Sequence, residues 1–204
     1  MSKRFDELEL YALLGEKVSH ALRTPLGVCL GALDDLVAGY SLGPEELKDA
    51  RDAARNIAKQ LDLLRDFSSP KQEVSSLSLS EALHSANIPA PKSELDFKIR
   101  AIPDLFPRAL LALWTYLLTL QAGEGAKPEV SIQNEGGEIV LGFSVVTGKV
   151  PEHSDVYSLV KGDSRLESLG ALFASTVCAE MDSALSFKKG AGGKLIFSIA
   201  LRKL

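Results

Sequence analysis

The chain has little that would tie it to an oxidising compartment, a bilayer or a nucleic acid. Its 204 residues include two cysteines, three histidines and one tryptophan, and aromatic residues make up only 6%. Cys29 and Cys178 stand far apart in apolar runs, the setting of small buried hydrophobes and not of a disulfide framework or a zinc site. Basic residues number 23 against 27 acidic ones, for a formal charge of −4. A binder of phosphate backbones needs a basic excess, so a nucleic-acid partner is not expected. The longest apolar stretch, Ala109 to Leu120, is interrupted by Thr115, Tyr116 and Thr119 and is too short to span a bilayer. The first residues turn acidic at Asp6 and Glu7 with no apolar signal core, so secretion is not expected either. A cytoplasmic chain is the expectation, without membrane or nucleic acid among its partners.

What is present is enough for a core: 46% hydrophobic and 25% charged residues, with heavy Ala and Leu usage that favours helices. From Phe5 to Ala38 apolar residues recur in steps of three and four: Leu8, Tyr11, Leu14, Val18, Leu22, Leu26, Leu30, Leu33 and Val37. That spacing predicts one long amphipathic helix, with a kink at Pro25, which removes a backbone donor and crowds the preceding turn. Gly39 to Pro44 reads as a turn, and Pro44-Glu45-Glu46 as an acidic helix start. A second helix to about Phe67 carries Leu47, Ala50, Ala54, Ile57, Leu61 and Leu64 on one stripe. Two such helices bury their stripes poorly alone, and a second copy completes a four-helix bundle, so a homodimer is expected.

After residue 68 the pattern changes. Residues 69–78 read as a linker, and residues 79–204 as an α/β sandwich on a mostly antiparallel sheet. Its expected elements are a short helix over Leu79–Ala86, a strand over Leu95–Ile99 and a buried helix over Pro107–Leu120. Strands follow at Val130–Ile132 and Glu138–Val145, then a helix at Leu166–Met181 and a closing hairpin of Ala184–Phe187 with Lys194–Leu201. The whole is thus of the α+β class, a helical hairpin over residues 1–68 followed by the sandwich.

Chemistry concentrates in Ser19-His20-Ala21-Leu22-Arg23-Thr24-Pro25-Leu26. A lone histidine on an amphipathic helix is ordinarily a solvated surface group. This segment, however, resembles the H box of bacterial sensor histidine kinases, in which a phospho-accepting histidine precedes a helix-kinking proline. The resemblance implies that His20 accepts and donates the phosphoryl group, since a neutral imidazole nitrogen is a competent nucleophile. Arg23, nearly one turn on, could attract an acidic receiver pocket or the phosphoryl oxygens, or simply be a surface arginine paired with a carboxylate. Thr24 matches a position that orients water for dephosphorylation in some of these kinases, although a hydroxyl satisfied by its own helix is the simpler explanation. Where sensor kinases place an acidic base directly after the histidine, this chain has Ala21. Self-phosphorylation is therefore not expected, while transfer from an aspartyl phosphate depends less on such a base.

The order of elements from Leu79 to Leu204 resembles the kinases' ATP-binding domain, stripped of its nucleotide contacts. The motif Asn-Leu-Leu-x-Asn-Ala becomes Tyr116-Leu117-Leu118-Thr119-Leu120-Gln121, with Leu120 at the magnesium-ligand position. Asp-x-Gly-x-Gly becomes Val146-Thr147-Gly148-Lys149-Val150, Lys161 to Arg165 resembles the segment before the lid, and the phosphate loop becomes Ser168-Leu169-Gly170-Ala171-Leu172. Met181-Asp182-Ser183 stands for the His-Gly-Gly turn. Losing the carboxylate, the Asn and the glycines removes the adenine acceptor, the magnesium ligand and the backbone approach to phosphate. No cofactor is expected on this chain, with magnesium supplied by the partner receiver. His84 and His153 have no ligand-spaced partners, and Gly190 to Gly193 reads as a hairpin turn.

The resemblance as a whole implies a phosphorelay histidine phosphotransferase with a degenerate ATPase-like domain. Its expected partners are response-regulator receiver domains, including the receiver of a hybrid histidine kinase. A silent pseudo-histidine kinase that only docks receivers or kinases is the alternative. An active kinase with an unusual ATP pocket is a third.

Overall fold

The computed structural model describes residues 7–67, 72–89, 97–123, 127–148 and 155–204. Phe5, Asp6, the start of the linker, Leu95, Lys149, Val150 and His153, all named above, lie outside the described residues. The chain divides into two compact units after Pro70.

The first unit is a pair of helices, α1 (Glu7–Val37) and α2 (Pro44–Phe67). Helix α1 continues through Pro25. It ends because Gly39 takes a positive φ of 85°, and the Gly39 and Tyr40 N–H groups donate back to the carbonyls of Leu36 and Asp35. That double closure satisfies end carbonyls that have no partner within the helix. Helix α2 starts at Pro44, whose missing N–H costs nothing there, while Glu46 accepts from the Gly43 N–H at 2.6 Å, half of a capping box. Cys29 Sγ donates to the Ala50 carbonyl at 3.5 Å, tying the two helices together. Along α1, Leu14 and Val18 are buried, but the expected stripe then emerges into solvent: Leu30 is 58% exposed, Leu33 56% and Val37 88%. Leu47 and Leu61 of α2 are likewise exposed.

The second unit holds a four-stranded antiparallel sheet in the order β3-β4-β6-β5, from β3 (Glu129–Glu135), β4 (Glu138–Val146), β5 (Ala184–Lys189) and β6 (Lys194–Arg202). A two-stranded ribbon, β1 (Ser75–Ser78) with β2 (Lys98–Ala101), abuts it through a bridge between Ile99 and Lys203. Strands β3 and β4 join through Gly136 and Gly137, both at positive φ, as a two-residue turn matched to strand twist requires. Alternate residues of β4 (Ile139, Leu141, Phe143, Val145) and β6 (Leu195, Phe197, Ile199, Leu201) are buried. Over that face lie α3 (Leu79–Ser85), α4 (Leu105–Thr119), α5 (Val156–Gly162) and α6 (Leu169–Glu180), so the core is a two-layer sandwich.

Helices α4 and α6 meet closely at Gly170, where a methyl group would stand 2.6 Å from the Ala112 carbonyl carbon. Cys178 is fully buried, and burial pushes its thiol up to about 12, so it is an inert core residue.

Three features depart from the sequence expectation. Strand β1 lies inside the stretch read as linker, because its Ser-rich sequence lacks the apolar alternation that marks a strand. Helix α5 was not foreseen, although Asp155 caps it by accepting from the Ser158 N–H at 2.9 Å. The helix expected from Leu166 opens with a 3-10 turn over Leu166–Ser168 before α6 begins. Among the described residues no helix is long and apolar enough to cross a membrane.

Candidate functional site

Helical geometry decides what the His20 segment can present. Val18 and Pro25 are buried while Ser19, His20, Arg23 and Thr24 are exposed. Residues three and four apart share a helix face, so His20, Arg23 and Thr24 form one solvent-facing patch on α1. His20 makes no side-chain hydrogen bond or ion pair among the described residues, which leaves both ring nitrogens open to a reactant. Ala21, half-buried on the next position round the helix, supplies no base.

At the positions that the kinase resemblance aligns with nucleotide contacts, the second unit makes contacts of its own. Leu120 caps α4 and is buried, with a side chain that can hold no metal. Val146 ends β4, and Thr147 is buried with its N–H donated to the Gly193 carbonyl at 3.1 Å. No carboxylate stands at either position. Gly170 is used against the Ala112 carbonyl, and Ser168 Oγ donates to the Arg165 carbonyl at 2.6 Å. Met181 is buried at the end of α6, and Asp182 takes a positive φ of 53° in the turn that follows.

A cluster not foreseen from the sequence sits at the carboxyl end of α4. Tyr116 Oη donates to Asp163 Oδ2 at 2.8 Å. Arg165 forks onto the same carboxylate, Nε to Oδ1 at 2.9 Å and Nη2 to Oδ2 at 2.7 Å, and its own backbone N–H donates to Oδ1 at 2.9 Å. Its remaining Nη1 donates to the Thr119 carbonyl at 2.8 Å, and the guanidinium lies 5.8 Å from the Tyr116 ring centre. Arg165 therefore supplies a cation where the helix end carries excess negative charge. Burial works to raise the Asp163 carboxyl, but the hydrogen bonds from Arg165 and Tyr116 outweigh it and hold the group below its ordinary value. Tyr116 is pushed well above the usual phenol range by burial and by Asp163. Asp163 and Arg165 are neighbours in the chain, but Tyr116 lies 47 residues from Asp163, and a pairing of that span has no local signature.

His84 is exposed on α3. Among the described residues no group of three or more histidine, cysteine or acidic side chains could hold a metal ion.

No family model matches the chain. No curated protein matches it by sequence. Solved structures do match. Histidine kinase AdeS of Acinetobacter baumannii superposes with a TM-score of 0.69 at 14% identity, over 90% of this chain and 97% of that one. A bacterial phosphotransferase gives 0.56 at 15% identity over 96% and 97% of the two chains. This is the histidine-kinase fold. At such identities the likeness establishes the fold alone. Histidine kinase ThkA, solved in complex with the response regulator protein TrrA, matches at 0.68 and 16% identity, over 96% of this chain and 64% of that one.

Proposed function

We propose that this chain is a dimeric histidine phosphotransferase that shuttles a phosphoryl group between receiver-domain aspartates through His20, without using ATP. The observation that carries the reading is His20 itself, exposed and unengaged on α1 inside an H-box sequence, within a histidine-kinase fold. One imidazole nitrogen attacks the phosphorus of an upstream aspartyl phosphate. The N–P bond forms, the P–O bond to the aspartate breaks, and the electron pair leaves with the carboxylate. The reverse step on a second receiver regenerates neutral His20. Arg23, exposed three residues on from His20, would meet phosphoryl oxygens in this reading, and any divalent cation belongs to the receiver.

The second unit does not fit a nucleotide. Leu120 and Val146 stand where a magnesium ligand and an adenine acceptor belong, and Tyr116, Asp163 and Arg165 spend their polar groups on one another. The exposed stripe of Leu30, Leu33 and Val37 supports a second copy as its cover. A docking pseudokinase would share every one of these features, and only phosphate on His20 separates the two readings.

The test is incubation with a panel of phosphorylated receiver domains. Acid-labile label on the wild type that is absent from His20→Gln is the expected result. Receivers that bind while neither protein takes label would overturn phosphotransfer in favour of docking alone. ATP with magnesium is expected to leave the melting temperature unchanged, and a saturable rise would overturn the claim that nucleotide is not used.

A further inference from the structure

One end of the open sheet face gathers positive charge from two neighbouring strands. The Ile99–Lys203 bridge is antiparallel, and the Leu204 N–H donates to the Lys98 carbonyl at 3.0 Å. This register sets Arg100 directly opposite Arg202. The row continues outward to Ser76, the partner of Arg100 on β1, and to Glu138, the partner of Arg202 on β4. Side chains alternate along a strand, so Lys98 shares the face of Arg100, while Ile99 and Ala101 are buried beneath. Arg100, Arg202, Lys98 and Ser76 are all exposed, and among the described residues no ion pair engages the three cations. Lys203, nearby, lies 5.0 Å over the Phe97 ring.

Like charges directly opposite on neighbouring strands destabilise a sheet. A ligand of opposite charge reverses the sign of that interaction. Paired guanidinium forks match carboxylates in two-point contacts, and the exposed Ser76 hydroxyl adds a neutral donor. Three cations beside Glu138, on a chain of net charge −4, do not make the extended positive field that a nucleic acid or an anionic bilayer requires. We infer that Arg100 and Arg202, with Lys98, form a docking patch for a carboxylate-bearing face of the partner receiver domain. This rests on the phosphotransfer reading, to which it adds a receiver-binding surface on the second unit.

The test measures receiver association by wild type, Arg100→Glu/Arg202→Glu, and a control of equal charge change, Lys127→Glu/Lys189→Glu, at low and physiological salt. The arginine variant is expected to lose about tenfold or more in association rate at low salt and to show a flatter salt dependence, with the control within about twofold of wild type. Arg100→Gln/Arg202→Gln is read in its place if circular dichroism shows the glutamate variant unfolded. An unchanged rate in the arginine variant, or an equal loss in the control, overturns the docking patch alone. Failure of wild type to bind any receiver overturns the phosphotransfer reading and the patch with it. Capture by RNA or anionic vesicles without receiver binding assigns the patch to another class of ligand and overturns it as well.

Discussion

Arg165→Ala removes the guanidinium that joins α4 to the segment before α6. Lost with it are the forked contact to Asp163, the hydrogen bond to the Thr119 carbonyl and the position over the Tyr116 ring. What remains is a carboxylate with 9% of its side chain exposed, still accepting from the Tyr116 hydroxyl and from the backbone N–H of residue 165. Removing one partner of a buried ion pair costs about 3–5 kcal/mol. Arg165, however, is 40% exposed, and solvent screening reduces its share. A charged hydrogen bond contributes about 1.5–3 kcal/mol, so the loss expected here is about 2–3 kcal/mol. Trp114, the only tryptophan, is buried in α4, and its fluorescence in a denaturant titration reports the second unit alone. Arg165→Lys keeps the charge but not the fork, and falls between. Lys194→Ala, which removes an exposed pair with Glu129 in the same unit, costs less than about 1 kcal/mol. A loss below about 1 kcal/mol for Arg165→Ala would refute the claim that this cluster holds the segment to the helix.

Three further outcomes are expected. Gly170→Ala drives a methyl group into the Ala112 carbonyl and should destabilise the second unit by about 1–3 kcal/mol; wild-type stability would mean α4 and α6 separate freely. Because Asp163 is held below its ordinary value in the fold, its contribution is full above about pH 4 and is lost as pH falls from there. Asp163→Asn should therefore be less stable at neutral pH and lose less on acidification, and an acid dependence equal to wild type would count against the pairing. Leu30→Glu/Leu33→Glu places charge in the exposed stripe and should raise the dimer dissociation constant by about 100-fold or more in sedimentation. Wild type that sediments as a monomer at every concentration would remove the four-helix bundle.

Strong periodicity made most of the fold legible. The three-and-four spacing along α1 marked a long helix even though Leu30, Leu33 and Val37 are exposed, and alternation in β4 and β6 marked buried central strands, since that pattern is the imprint of one buried face. Strand β1 escaped because Ser75, Ser76 and Ser78 carry no such imprint; the strand is held by its backbone pairing with β2. His20, Arg23 and Thr24 could be singled out because a motif like the H box is local, confined to a few successive residues of one helix, and α1 exposes all three. The Tyr116–Asp163–Arg165 cluster and the Arg100–Arg202 juxtaposition were not, because each depends on chain segments brought together only by tertiary structure. Gly170 illustrates the remaining gap: read as the residue of a phosphate loop, it is occupied by helix packing against Ala112.

The central claim is tested most directly by a reconstituted relay. One phosphorylated receiver serves as donor and a second, unlabelled receiver as acceptor, with no ATP present. The account predicts that label reaches the acceptor aspartate with wild-type protein, passing through an acid-labile species on this chain, and does not with His20→Gln. Transfer that proceeds equally with His20→Gln, or label that never leaves the donor despite binding, would contradict it.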